Sequence, residues 1–365
     1  TFCKFYNFNW STTQMKKTLI AAAVMAASGV AFAASNVTLY GVVDASVVVG
    51  KVKHQDTTVQ LKSGFRNGSR WGIKGVEDLG NGYAVGFILE QGYNVDDGTT
   101  ANGWSEDNSG AFNRESKLYV QGNFGQIGFG RLGSLAGGAQ SNNLLTGWAL
   151  GTSYDGGSWT ALAKGNGRLN NAIAYVSPDF AGFKFSAMYS NGTKKDDAKW
   201  SDNVHYYGIG GQYTLGGFKN SLIFEAVDNK GQTNSNTAYL INLGLGYNFG
   251  AITPMFAYQY NWQKDGVKDN VFGLSALAPL GGGTAKIGAR YLFGKNEGTL
   301  AANQSDRRRA WTINGAYEYP LSKRTTTYAY AGYNHGSKGL KADITANQTI
   351  KLNGYQVGVG MTHNF

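Results

Sequence analysis

Alternation with a period of two residues runs through this chain. It is clearest in NGYQVGVGMTHNF at 353–365, where Tyr355, Val357, Val359, Met361, His363 and Phe365 share one face. Gln356, Gly358, Gly360, Thr362 and Asn364 share the other, the signature of a strand with one apolar and one wet side. Read the same way, the chain predicts sixteen strands, the first eight at 36–50, 65–78, 82–95, 113–122, 126–133, 168–178, 182–191 and 204–215. The other eight fall at 219–228, 238–249, 251–263, 269–279, 284–294, 308–320, 325–335 and 353–365.

The connections alternate in length. Short ones carry turn residues: DLGNG, GNFGQ, PDFAG, LGGFK, NFGA, PLGGG and YPLSKR. Between them lie polar stretches at 51–64, 96–112, 134–167, 192–203, 229–237, 264–268, 295–307 and 336–352. Seven turns interleaved with eight loops, both termini on one side, predict an up-and-down antiparallel barrel whose turns face one side of a membrane and whose loops face the other. Lipid demands such closure, because every backbone N–H and C=O must be paired and an open sheet leaves an edge. Sixteen strands enclose a lumen too wide for side chains to fill, so water enters. A soluble β-sandwich also alternates, but its strands would be more continuously apolar and its loops would not alternate long and short.

The N-terminal region reads differently. MKKTLIAAAVMAASGVAFA at 15–33 has a basic start (Lys16, Lys17), an apolar core and a small-residue end at Ala31-Phe32-Ala33. That is the plan of a secretory signal peptide, with residues 1–14 an upstream stretch and a mature chain from Ala34. No later stretch has the 18 apolar residues of a spanning helix.

Composition agrees. Glycine numbers 53 of 365 without a collagen period, proline only 4, aromatics reach 13% and charged residues 15%. The single cysteine, Cys3, falls before the mature start and excludes a disulfide scaffold. Discarding 1–33 lowers the formal charge from +10 to +7 by removing Lys4, Lys16 and Lys17. Export makes nucleic acid an implausible partner, so the basic excess points to anionic solutes or lipid headgroups. No G-x-S-x-G, H-E-x-x-H or P-loop occurs, and no Cys/His cluster suggests a metal, so neither cofactor nor catalytic centre is expected. The alternatives weighed are a barrel phospholipase using a Ser–His pair, for which His205 is the one mid-chain histidine, and a loop-mediated adhesin or receptor.

Several segments resemble a known family. SNVTLYGVVDASV (35–47), SRWGIKGVEDLGNGY (69–83), GNFGQIGFGR (122–131), RLNNAIAYVSPDFAGF (168–183), LSKRTTTYAY (321–330) and the terminal Phe365 are similar, in order, to motifs of the Gram-negative general porins of neisserial and β-proteobacterial type. The resemblance implies a sixteen-stranded outer-membrane barrel, a homotrimer, contact with outer-membrane lipid and lipopolysaccharide, and passive diffusion of small hydrophilic solutes. It makes 134–167 the third loop, folded into the lumen as a constriction, and Phe365 the signal read by the outer-membrane insertion machinery. Facing that loop the family places inward basic residues, which match Arg70, Arg168 and Arg114. Period two sets Arg70 and Lys74 opposite Trp71 and Ile73, hence toward water, but does not settle Arg114, which shares a face with Leu118 and Val120. Asp155 is the one acid in 134–167, and the enterobacterial PEFGG motif is absent. Several arginines against one carboxylate predict anion preference. Tyr40, Tyr83, Tyr119, Tyr189, Tyr247, Tyr258, Tyr317 and Tyr330 are expected in interfacial girdles.

Overall fold

The computed structural model describes residues 36–101, 110–137, 141–193, 199–230, 235–300, 305–337 and 352–365. The expected upstream stretch 1–14, signal peptide 15–33 and cleavage site therefore lie outside the described residues. Among the described residues, seventeen strand segments follow in chain order: β1 Asn36–Val52, β2 Thr58–Ser63, β3 Arg70–Gly80, β4 Tyr83–Gly92, β5 Glu115–Gly122, β6 Gly125–Gly133, β7 Arg168–Val176, β8 Phe183–Asn191 and β9 His205–Leu215. They continue with β10 Phe218–Asp228, β11 Ala238–Tyr247, β12 Thr253–Gln263, β13 Val267–Leu280, β14 Gly283–Asn296, β15 Arg307–Pro320, β16 Thr325–Gly336 and β17 Gly354–Asn364.

These seventeen segments occupy sixteen barrel positions. β1 pairs along its first half with β3 (Val42↔Arg70) and along its second half with β2 (Ala45↔Ser63), so β2 and β3 are two pieces of one position. Each later strand pairs antiparallel with the next, and β17 returns to β1 from Val42↔Asn364 to Val52↔Gly354, closing the barrel. The expectation of a polar loop at 51–64 followed by a strand from 65 is thus corrected. Thr58–Ser63 is strand, and the break lies at 64–69.

The turn at 81–82 shows why the sequence folds this way locally. Asn81 and Gly82 have φ of 54° and 79°, the type I′ geometry that Asn-Gly adopts and that matches the twist of its flanking strands. At the seam, Gly41 and Phe365 exchange both backbone hydrogen bonds at 3.1 Å. The Phe365 ring lies over Gly41, where a Cβ would fall 2.2 Å from it, so the seam requires glycine there.

The two faces of the wall are chemically opposite. Leu39, Ile209, Leu274, Ile287 and Val359 point outward and stay more than half exposed. Their strand neighbours Asp44, Glu225, Gln259, Thr312 and Asn314 point inward and are buried. Aromatics gather on the outside toward the loop end, as in the Tyr239–Trp262 stack at 5.1 Å and the Trp311–Tyr333 pair at 5.4 Å. Of the tyrosines expected in girdles, Tyr83, Tyr189, Tyr247, Tyr258 and Tyr317 take the outer face. Tyr40, Tyr119 and Tyr330 face inward, because polar partners await them: Tyr40 donates to Glu90, Tyr330 to Asn314, and Tyr119 lies under the Lys117 ammonium.

Candidate functional site: an arginine-lined opening inside the barrel

Residues 134–137 and 141–167 pack against the inner face of the wall, held by inward side chains of the strands. On β10, the buried Glu225 carboxylate accepts from Ala136 N at 2.6 Å, from Asn166 at 2.5 Å and from Tyr206 at 2.7 Å. On β12, the Gln259 amide clamps both backbone groups of Lys164. On β14, the Arg290 guanidinium donates to the carbonyls of Gly156, Ser158 and Trp159 and lies over the Trp148 ring. Trp148 sits on Gly273 and Gly288, and a Cβ at Gly288 would come within 2.4 Å of the indole, so only a bare backbone leaves room.

The tip of the segment is fixed separately. Tyr154 donates to Glu318 of β15 at 2.7 Å and stacks on Tyr330 at 5.0 Å. Burial, reinforced by the Glu318 charge, pushes its phenol above the ordinary tyrosine range, so it remains a donor. Asp155 pairs with Lys62 of β2 at 2.5 Å.

Between this tip and the wall lies an opening of about 560 Å³, and Arg70, Arg114, Arg168 and Asp155 all line it. Arg114 resolves the ambiguity of the alternation. The strand begins one residue later, at Glu115, so the pattern does not extend through Arg114, and its guanidinium swings to Glu90 at 2.7 Å. Arg168 is buried and donates to the Arg114 carbonyl at 3.0 Å, following a register shift between β6 and β7. Lys74 shares the inner face but lies outside this lining, four residues farther along β3, or about 13 Å at strand rise. Its ammonium sits 5.2 Å from the Tyr40 ring centroid.

Three charged lining residues escaped the sequence reading: Arg66, Glu90 and Glu115. Glu90 is shared by Arg114, by Arg70 at 3.5 Å and by the Tyr40 hydroxyl at 3.1 Å. The expectation of arginines facing a single carboxylate is thereby corrected. Among the described residues of the lining, four arginines meet three carboxylates, and the formal excess is one positive charge. Glu90 was findable, as the sole acid on the inward parity of FILEQG. Arg66 was not, because the alternation runs through the strand break and gives no sign that the chain leaves the sheet there.

His205 carries no hydrolytic arrangement. It is buried beneath Trp200, with Nδ1 3.0 Å from the Tyr189 hydroxyl and Nε2 2.8 Å from the Trp200 carbonyl. Both ring nitrogens are thus taken by groups that cannot serve as a serine nucleophile. Among the described residues no cluster of His, Cys, Asp and Glu could hold a metal ion.

Comparison with known proteins agrees with this geometry. A family model described as Gram-negative porin matches residues 20–339. Outer membrane porin protein 32 of Delftia acidovorans is 33% identical over 96% of this chain and all of its own length. Major outer membrane protein P.IB of Neisseria meningitidis serogroup B is 29% identical over 96% of this chain and its whole length. Among solved structures, the anion-selective porin from Comamonas acidovorans superposes with a TM-score of 0.68 at 28% identity, covering 91% of this chain and all of that one. A Vibrio cholerae OmpT structure superposes at 0.64 with 15% identity, a likeness of fold.

Proposed function

This chain belongs to the Gram-negative porin family, an outer-membrane channel and not an enzyme, and from that premise we propose that the arginine-lined opening is its constriction and favours anions. The convergence of four guanidinium groups on one opening bounded by the Asp155 tip carries this reading. In a narrow passage with low-dielectric walls, fixed positive charge lowers the entry energy of an anion and raises that of a cation. Screening limits the field to about 10 Å at 0.1 M salt and about 3 Å at 1 M, so the preference fades as salt rises. The shared Glu90 moderates it. The similarity to the Comamonas porin, itself anion-selective, supports the same sign of preference.

The chain is made with a signal peptide at 15–33 and works as a homotrimer. The outer faces of β17, β1 and β2 offer an aliphatic surface for that contact, with Val357, Val359, Met361, Val47, Val59 and Leu61 exposed side by side. Lipid and lipopolysaccharide contact the rest of the outer wall, and the insertion machinery reads Phe365.

Replacing Arg70 and Arg168 together by Ser tests the constriction. In a KCl gradient across a planar bilayer, the zero-current potential should move toward cations, strongly in dilute salt. An unchanged potential would show that these arginines do not govern passage.

A further inference from the structure

The second barrel position contains more chain than its neighbour can pair. Between Val42↔Arg70 and Ala45↔Ser63, the six residues 64–69 stand opposite only Val43 and Asp44. A continuous ladder has room for two there, so the chain must leave the sheet. It leaves inward. Phe65 is buried edge-on against Tyr154 and Tyr330, and Arg66 reaches Glu318, four barrel positions away, at 2.8 Å. The backbone donors released from the ladder find a partner in Asp44, whose carboxylate accepts from Arg66 N at 3.3 Å and Asn67 N at 3.4 Å. Ser69 completes the join, its hydroxyl accepting from Asp44 N at 3.0 Å.

We propose that this break is a second constriction element, formed by a wall strand instead of a loop, and that Arg66 is a selectivity-determining residue of the passage. The inference rests on reading the arginine-lined opening as the constriction. Phe65, Arg66, Asn67 and Gly68 line that opening together with Arg70 and Arg114. Gly68 also meets both of those arginines. Its carbonyl accepts from Arg70 at 3.2 Å, and a Cβ there would fall 2.9 Å from the Arg114 guanidinium. The break therefore contributes one guanidinium, paired with Glu318, accepts from a second and leaves room for a third.

It also stops the loop tip. Tyr154 N donates to the Phe65 carbonyl at 2.7 Å, Asp155 is held by Lys62, and Tyr154 shares Glu318 with Arg66. Tyr154 and Asp155 have φ of 63° and 31°, a region that non-glycine residues seldom enter without being held there. The contacts with 62–66 do the holding. The width of the passage is thus set where two inward segments meet, one from the loop and one from the wall.

Three changes test this in the porin in planar bilayers. Arg66→Gln should shift the zero-current potential toward cations with little change in conductance, and Arg66→Lys should restore it. Deleting 65–68 joins Gly64 to Ser69 and returns the ladder to register, so it should raise the conductance and shift the potential farther than Arg66→Gln. If Arg66→Gln leaves the potential unchanged while the Arg70/Arg168 double variant shifts it, the break is structural only and this inference falls, with the constriction reading intact. If neither shifts it, the constriction reading fails and takes this one with it. Should the deletion not assemble, the Gln and Lys substitutions decide alone.

Discussion

Arg290→Met should loosen the loop without weakening the barrel. The guanidinium is buried at the inner wall, donates to three carbonyls of 134–167 and to Thr312, and covers the Trp148 ring. Methionine keeps much of the volume but offers no donor. Hydrogen bonds to a charged group contribute about 1.5–3 kcal/mol each, and they do not add fully. With water reaching some of the freed carbonyls, a net loss of about 3 kcal/mol in loop tethering is the working figure. At 1.4 kcal/mol per tenfold, the population with the loop displaced rises about a hundredfold. Trypsin reads that population, because the Lys164 backbone, clamped by Gln259 inside the barrel, can enter a protease only when the loop swings out. Cleavage after Lys164, followed by mass spectrometry on the native assembly, should accelerate by about that factor while the melting temperature of the barrel holds. The ladder bonds of β14 to β13 and β15 are untouched by the change. Arg290→Lys, with one ammonium in place of a fork of donors, should fall between. A cleavage rate equal to the parent's, or a barrel that melts early instead, would refute the reasoning.

Other outcomes follow from the same geometry. Glu90→Gln releases Arg70 and Arg114 from a shared carboxylate and raises the formal excess in the lining from one positive charge to two, so the zero-current potential should move farther toward anions. Movement toward cations would mean that Glu90 chiefly holds those arginines in place. Asp155→Asn frees the Lys62 ammonium and should shift the potential the same way, by less than the Arg70/Arg168 change shifts it the other way. Deleting Phe365, or replacing it by Asp, should reduce heat-modifiable folded trimer in outer-membrane fractions while export continues. Gly41→Val drives a side chain into the Phe365 ring and should lower the same signal.

Most of the wall was legible because lipid outside and water inside impose a period of two that no other constraint interrupts. The strands from β4 onward lie within a few residues of the alternation reading. The break at 64–69 was not legible. Its residues, Gly-Phe-Arg-Asn-Gly-Ser, continue the alternation by accident, with Arg66 and Gly68 on the parity of Arg70. What expels them is a mismatch in length against β1, which exists only once the pairing is known. Arg70, Arg114 and Arg168 could be matched residue by residue, since each sits beside a recognisable motif. Their acidic neighbour Glu90 stood on the inward parity of β4, but that both Arg70 and Arg114 share it follows only from how β3, β4 and β5 lie side by side. The inward tyrosines were misplaced for a related reason: Tyr330 and Tyr40 follow partners across the wall, and the sequence names no partners.

The seam between Gly41 and Phe365 also bears on how such a chain reaches its final form. The paired residues from Val42↔Asn364 to Val52↔Gly354 lie some three hundred positions apart along the chain. Every other junction of the wall joins segments far closer in sequence, so hairpins can zip early and cheaply, while the last junction bears the largest loop-closure entropy. Until it forms, the growing sheet shows two bare edges, each able to template pairing with a neighbouring chain. A ribosome releases β17 last, so a partly made chain has no way to protect itself. Its safety depends on being held extended until the final strand is in hand.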